Sequence, residues 1–227
     1  NVGEGKDDEF LATFRVALRT IIWISLPVAI VSYFARGYVV SFIKNGGDAL
    51  IASVLGTLVL AIFARSVFHI ASRGFYARQD TRTPFIVSIV AVGFSTLLAV
   101  LFTVWGFGPE GLGYAQSIGA VLEIIILLGL LNRKSKHKLF NKAFWKGVSR
   151  MVFATVITGA VCYSMTKFFP LLATDVSILA TLLKFILISF VATVAYVVAC
   201  WFLDLDEVQP LFEKLSKILF RNLDTKE

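Results

Sequence analysis

The sequence predicts an all-α fold: a polytopic membrane protein of six transmembrane helices followed by a C-terminal amphipathic helix. Three observations predict it. Hydrophobic residues fill 57% of the 227 positions against 16% charged, with a mean hydropathy of +0.80, far too apolar for a soluble globule of this length. The apolar residues gather in runs of roughly 20, which is the length a helix needs to cross a ~30 Å hydrocarbon core. Short polar turns separate these runs, and the ten-residue alternation of a membrane barrel does not occur.

Residues 1–12 are acidic and contain glycine, and they read as a flexible lead-in. The chain opens without Met or a signal-like segment, so a piece of something longer is expected. The first span covers about 13–43, with Arg15 and Arg19 near its start. Pro27 should kink it, because an interior proline removes one backbone bond and crowds the carbonyl four residues back. A packing bend and a hinge are both compatible with that kink. Lys44-Asn45-Gly46-Gly47-Asp48 is a turn by composition. The second span covers about 49–74.

The third span, about 84–107, opens at Pro84, whose missing N–H costs nothing in a first helical turn. Thr81 or Thr83 is placed to cap it. A glycine-rich turn at 106–111 leads to the fourth span, about 111–131, where Gly and Ala permit close helix approach. Residues 132–150 carry Arg133, Lys134, Lys136, Lys138, Lys142, Lys146 and Arg150. Part of this stretch reads as a surface helix with Phe140, Phe144 and Trp145 among lipid headgroups. The fifth span covers about 148–169 and the sixth about 176–203. Val208, Leu211, Phe212, Leu215, Ile218 and Leu219 then recur on one helical face. The expected organisation is therefore a lead-in (1–12), a four-span unit (13–133), a basic loop (134–147), two further spans (148–203) and an amphipathic tail (204–227).

The net charge of +7 does not point to nucleic acid, because the basic residues lie in loops between spans. Membrane lipids with anionic headgroups are the expected partners there. Six spans put both ends on one side. Of the 22 Lys and Arg, Arg36, Lys44 and Lys167 fall in the opposite loops and Arg65 and Lys184 inside spans. The positive-inside rule then places the N-terminus, the 75–84 corner, the basic loop and the tail in the cytoplasm. Cys162 and Cys200 each sit in an apolar run and make neither a disulfide framework nor a metal site. No P-loop, nucleophile elbow or catalytic carboxylate pair is found, so no enzyme, metal or cofactor is expected.

An ionisable group near the bilayer centre costs at least ~2.5–3.5 kcal/mol and normally faces a bundle interior or a wet cavity. Arg65, His69 and Arg73 follow one another at i, i+4 and i+8, forming a basic ridge. Glu123 lies mid-way along the fourth span, with Gln116 on the same face. These five are the candidate substrate or cavity residues. The plainer readings are a structural ion pair for Glu123, a packing role for His69 and snorkelling for Lys184. At ~1.5 Å per residue Arg65 lies ~24 Å and Glu123 ~18 Å into their spans, a gap an extended arginine can bridge.

Between the second and third spans stand Arg78, Asp80 and Arg82, expected to form a rigid cytoplasmic elbow. The run Gly74-Phe75-Tyr76-Ala77-Arg78-Gln79-Asp80-Thr81-Arg82-Thr83-Pro84 closely resembles the corresponding loop of the MurJ (MviN) family of lipid II flippases, within the MOP exporter superfamily. Arg19 with Leu26-Pro27, and Gly108 to Leu131, resemble that family's neighbouring segments. The resemblance covers about 13–133, while 134–227 agrees in hydropathy and order. It implies the last six of about fourteen spans, part of a MATE-like bundle in the bacterial inner membrane. It further implies alternating access that moves undecaprenyl-linked lipid II, or a similar polyprenyl diphosphate lipid, from the inner to the outer leaflet. The missing N-terminal spans would be partners and would carry the family's strongest cationic determinants. Residues 148–203 would line a groove for the lipid tail. A coupling ion fits such a cycle, though no motif identifies one. A related exporter of drugs or other polyprenyl-linked saccharides, and a non-transporting scaffold subunit, are the alternatives.

Overall fold

Runs of apolar residues that must bond their own backbone groups in lipid can only become helices, and every described element is one. A computed structural model describes residues 2–44, 47–135, 139–171 and 178–209, with side chains from Asp8 onward. The elements are α1 (Val2–Phe34), α2 (Arg36–Ile43), α3 (Ala49–Tyr76), α4 (Arg82–Val104), α5 (Gly108–Lys134), α6 (Lys142–Phe168) and α7 (Ile178–Phe202). Among the described residues six helices are long and apolar enough to cross a membrane, Asp8–Phe34 and the whole of α3 to α7. The tail helix expected over 204–227 lies, from residue 210 on, outside the described residues, as do Lys136 and Lys138.

Three sequence expectations change. The lead-in is helical and continuous with α1, because Phe10, Leu11 and Phe14 pack into the main core. The first span is not one helix of 13–43. It ends at Phe34, and Ala35 takes a bridge-region conformation (φ −91°, ψ 7°) from which α2 departs. Pro27, the hinge candidate, lies inside an unbroken α1, so the break falls two turns later. The surface helix of the basic stretch is instead the first turn of α6, capped by the Asn141 side chain, which accepts from Phe144 N at 2.7 Å. Phe144 is buried and packs on Phe140, leaving Trp145 outside.

α5 is the central helix. It runs parallel to α3 and antiparallel to α4, as the pairings Thr57 with Gly113, Arg65 with Glu123 and Gly74 with Leu131, and Ser88 with Glu123 and Phe102 with Gly111, require. Its small residues make this possible. A Cβ added at Gly113 would stand 1.9 Å from Thr57 Oγ1, and one at Gly119 would stand 2.6 Å from Ser95 Cβ. Ser117 fills the seam: its hydroxyl donates to Thr57 O at 2.6 Å and accepts from Ala61 N at 3.2 Å. Those two backbone groups belong to the same helical turn of α3, so one side chain locks the register between the helices.

A branched side chain at the seam should therefore separate α3 from α5. We expect Gly113→Val to destabilise the chain by about 2–3 kcal/mol through overpacking. Gly129→Ala, where an added Cβ meets nothing within 4 Å, should be neutral or slightly stabilising. Thermal unfolding of the two variants in one detergent checks the contrast.

Candidate functional site: an intramembrane ion pair and a polar elbow

The seam sets the level at which charges on α3 and α5 meet. Because α5 begins at Gly108 rather than near 111, Glu123 lies ~22 Å along its helix, close to the ~24 Å of Arg65. Arg65 Nη1 reaches Glu123 Oε2 at 2.9 Å, and Ser88 of α4 donates to Glu123 Oε1 at 2.6 Å. Both carboxylate oxygens are thus engaged. Glu123 is 1% exposed, whereas the Arg65 side chain is 40% exposed and passes over the Phe68 ring at 5.8 Å. At this depth of burial a guanidinium and a hydroxyl stand where water would otherwise solvate the two carboxylate oxygens. Sequence reasoning missed Ser88. Its signal was the stripe Pro84, Ser88, Ala91 and Ser95, small or polar residues at helical spacing along one face of α4.

The other ridge residues follow a different course. His69 and Arg73 are exposed on the outer face of α3, and His69 meets the Phe68 ring edge-on. Gln116 is half-buried, and its neighbour Ser117 is the residue bonded to α3. A cavity of about 910 Å³ lies between α1, α3 and α5 on the half of the bundle away from the 77–81 corner. Leu26, Ile30, Phe63 and Val121 form its apolar wall, and Arg36 and Glu110 border it. None of Arg65, His69, Arg73, Glu123 and Gln116 lines it.

At the corner, Gln79 adopts φ 60° and Asp80 follows it. Asp80, rather than either threonine, caps α4: Oδ1 accepts from Thr83 N at 3.0 Å and Oδ2 from Thr83 Oγ1 at 2.7 Å. Its charge partner is Lys134 at the end of α5, 2.5 Å away. Arg78 donates to the Lys134 carbonyl at 3.2 Å and lies over the Phe10 ring of α1 at 4.9 Å. Arg82 is exposed. The corner thereby joins α1, α3, α4 and α5. The Lys134 ammonium, then the Thr83 hydroxyl and amide, hold the Asp80 carboxyl far below the usual carboxylate range.

A depressed folded-state pKa stabilises above the unfolded value and loses that effect as pH falls through the folded one. Asp80→Asn should therefore lower the melting temperature at neutral pH. The gap to the parent should close progressively as the medium is made more acidic than the ordinary carboxylate range. Melting curves of the two chains from neutral to acid pH test this, and a gap that does not depend on pH would refute it.

The chain is similar in sequence to known proteins. The family described as lipid II flippase MurJ matches residues 1–184. The probable lipid II flippase MurJ of Vibrio cholerae is 26% identical over 174 residues, covering 71% of this chain and 32% of that protein. The probable lipid II flippase MurJ of Borreliella burgdorferi is 24% identical over 194 residues, 81% of this chain and 36% of its own length. The lipid II flippase MurJ of Thermosipho africanus is 26% identical over 118 residues. The chain spans about a third of the length of the first two. A match over most of the chain, on a bundle of six membrane-length helices, shows that this chain belongs to the MurJ lipid II flippase family.

Proposed function

We propose that this chain forms part of a flippase that carries lipid II, a polyprenyl diphosphate linked to a peptidoglycan precursor, from the inner to the outer leaflet of the bacterial inner membrane. The observation that carries this beyond family membership is the imbalance of charge on α3. Glu123 neutralises Arg65, and His69 and Arg73 continue the same ridge on an exposed face. A guanidinium such as that of Arg73 is costly against lipid, whereas facing a polar passage it attracts a diphosphate strongly, and the His69 imidazole beside it can hydrogen-bond the same headgroup. The ridge would form one wall of that passage. Spans contributed from elsewhere in a longer protein would form the other, so the chain alone would not transport. Alternating access would then expose the ridge to each side in turn.

The remaining elements take their places in this reading. The 77–81 elbow, the basic stretch before α6 and both ends of the chain face the cytoplasm, in keeping with the excess of Lys and Arg there. Arg78 and Asp80 hold α3 and α4 at a fixed angle during the cycle, with Arg82 on the outer side of the same corner. Residues 148–203 serve the apolar tail of the substrate.

Three measurements test the proposal. A full-length protein containing this chain should restore growth and lipid II translocation in cells depleted of their own flippase, and failure to do so would overturn the reading. Arg65→Glu and Glu123→Arg should each lower translocation at least about tenfold, because each leaves a buried charge without its counter-ion, while the double swap should recover much of it. A cysteine at position 69 should react with a membrane-impermeant thiol reagent from at least one side of the membrane, and a residue inert from both sides would remove the passage assignment.

A further inference from the structure

Arg19, which begins the motif ending at Leu26-Pro27, has no part in the ion pair, the elbow or the cavity, yet it is one of the most heavily engaged side chains in the molecule. Its Nε stands 2.6 Å from Glu207 Oε1, and its Nη2 donates to Glu207 Oε2 at 3.0 Å and to Asp206 Oδ2 at 3.1 Å. The Arg19 side chain is 17% exposed and that of Glu207 10%. The fit depends on α6 having no side chain at the crossing, because a Cβ at Gly147 would lie 2.7 Å from Arg19 Nη2.

The acidic pair comes to α1 because the chain reverses after α7. Asp204 adopts φ +51°, its carbonyl accepts from Arg150 Nη1 of α6 at 2.9 Å, and Leu205 and Val208 turn into the core that holds Leu11, Phe14 and Leu18. At the other end of α6 and α7 the attachment is of a different kind. Tyr38 of α2 donates from its hydroxyl to the Phe169 carbonyl, Phe42 meets Phe185 edge-on at 5.8 Å, and Ala35, Tyr38 and Ile188 form a small separate core. α6 and α7 rest chiefly on α1 and α2, so these are the two ends of one mounting.

We propose that Arg19 is an ionic latch for the last two spans: its pairing with Glu207 and Asp206 seats the end of α7 against α1 and α6, while the aromatic contacts of α2 act as the pivot at the opposite end. Loss of the latch should then loosen one end only. This goes beyond the transport reading and holds whatever the chain carries.

The two native cysteines report on the two ends. Cys200 lies one turn before the reversal and one turn after Tyr196, whose ring pairs with Trp23 of α1 at 6.2 Å; Cys162 adjoins Tyr163, which pairs with Phe34 near α2. Both cysteines are fully buried. In the intact chain in lipid vesicles, both should react slowly with a membrane-permeant maleimide. Arg19→Gln and Glu207→Gln should each speed modification of Cys200 about tenfold, through a more populated local opening, and leave Cys162 unchanged. Arg19→Lys, which keeps the charge, should retain most of the protection. The latch is overturned if Cys200 stays as protected in both Gln variants as in the parent. It is equally overturned if both cysteines open together, which would mark a general loss of stability, or if Lys protects no better than Gln.

Discussion

Helices surrounded by lipid gain little by burying apolar surface on one another, and they associate where their backbones can come close enough for dispersion and hydrogen bonding. In this bundle that place is the seam of α5. Gly113 lies against Thr57, Ser117 bridges the backbone of α3, and Gly119 lies against Ser95 of α4. Each contact admits one register, and together they place α5 between its neighbours to within less than a helical turn. The ion pair, its serine and the elbow follow from that placement. Were α5 shifted by one turn, Glu123 would be buried among apolar side chains without a counter-ion, a state that costs several kcal/mol.

The polar groups of the bundle are ordered by depth. The Arg65–Glu123–Ser88 cluster is neutral as a whole and lies where water is scarce, while the Asp80–Thr83–Lys134 cluster closes the ends of α4 and α5 at the corner. Between them His69 and Arg73 remain on the outer face of α3. α4 is the opposite: its outer residues, among them Phe85, Ile89, Leu97 and Val104, are large and apolar, as a helix in contact with lipid requires. The bundle therefore has one face suited to hydrocarbon and one suited to a polar surface.

α1 has a second structural duty as the wall shared by two groups of helices. α3 packs on one side of it and carries α5 and α4 beyond, while α6 and α7 pack on the other. The break at Ala35 frees α2 to lean on α7, which a straight continuation of α1 to residue 43 would not permit. The mounting of the last two spans thus depends on a conformational change at one small residue and on one arginine.

The sequence by itself determined the membrane class, the number of spans and the family. Each is read from composition, run length or a local motif, and the requirement that backbone groups bond internally in lipid leaves helices as the outcome. It also indicated that Arg65 and Glu123 can meet, since both positions could be counted from the ends of their helices. Tertiary structure alone decided the partners and the boundaries. Lys134 rather than an arginine faces Asp80 because α5 runs three residues past its apolar stretch, which hydropathy does not register. Ser88 and Ser117 became essential polar partners because they stand at close helix crossings, while Gln116, adjacent to one of them, does not take that role. The helix breaks at Ala35, two turns beyond the Pro27 expected to kink it, and α2 then meets α7 through Phe42 and Phe185. Arg19 resembled a residue at the edge of a span until the fold brought Glu207, 188 positions away, to its side. Pairings at such separations are set by the packing of whole helices, which no local pattern in the chain records.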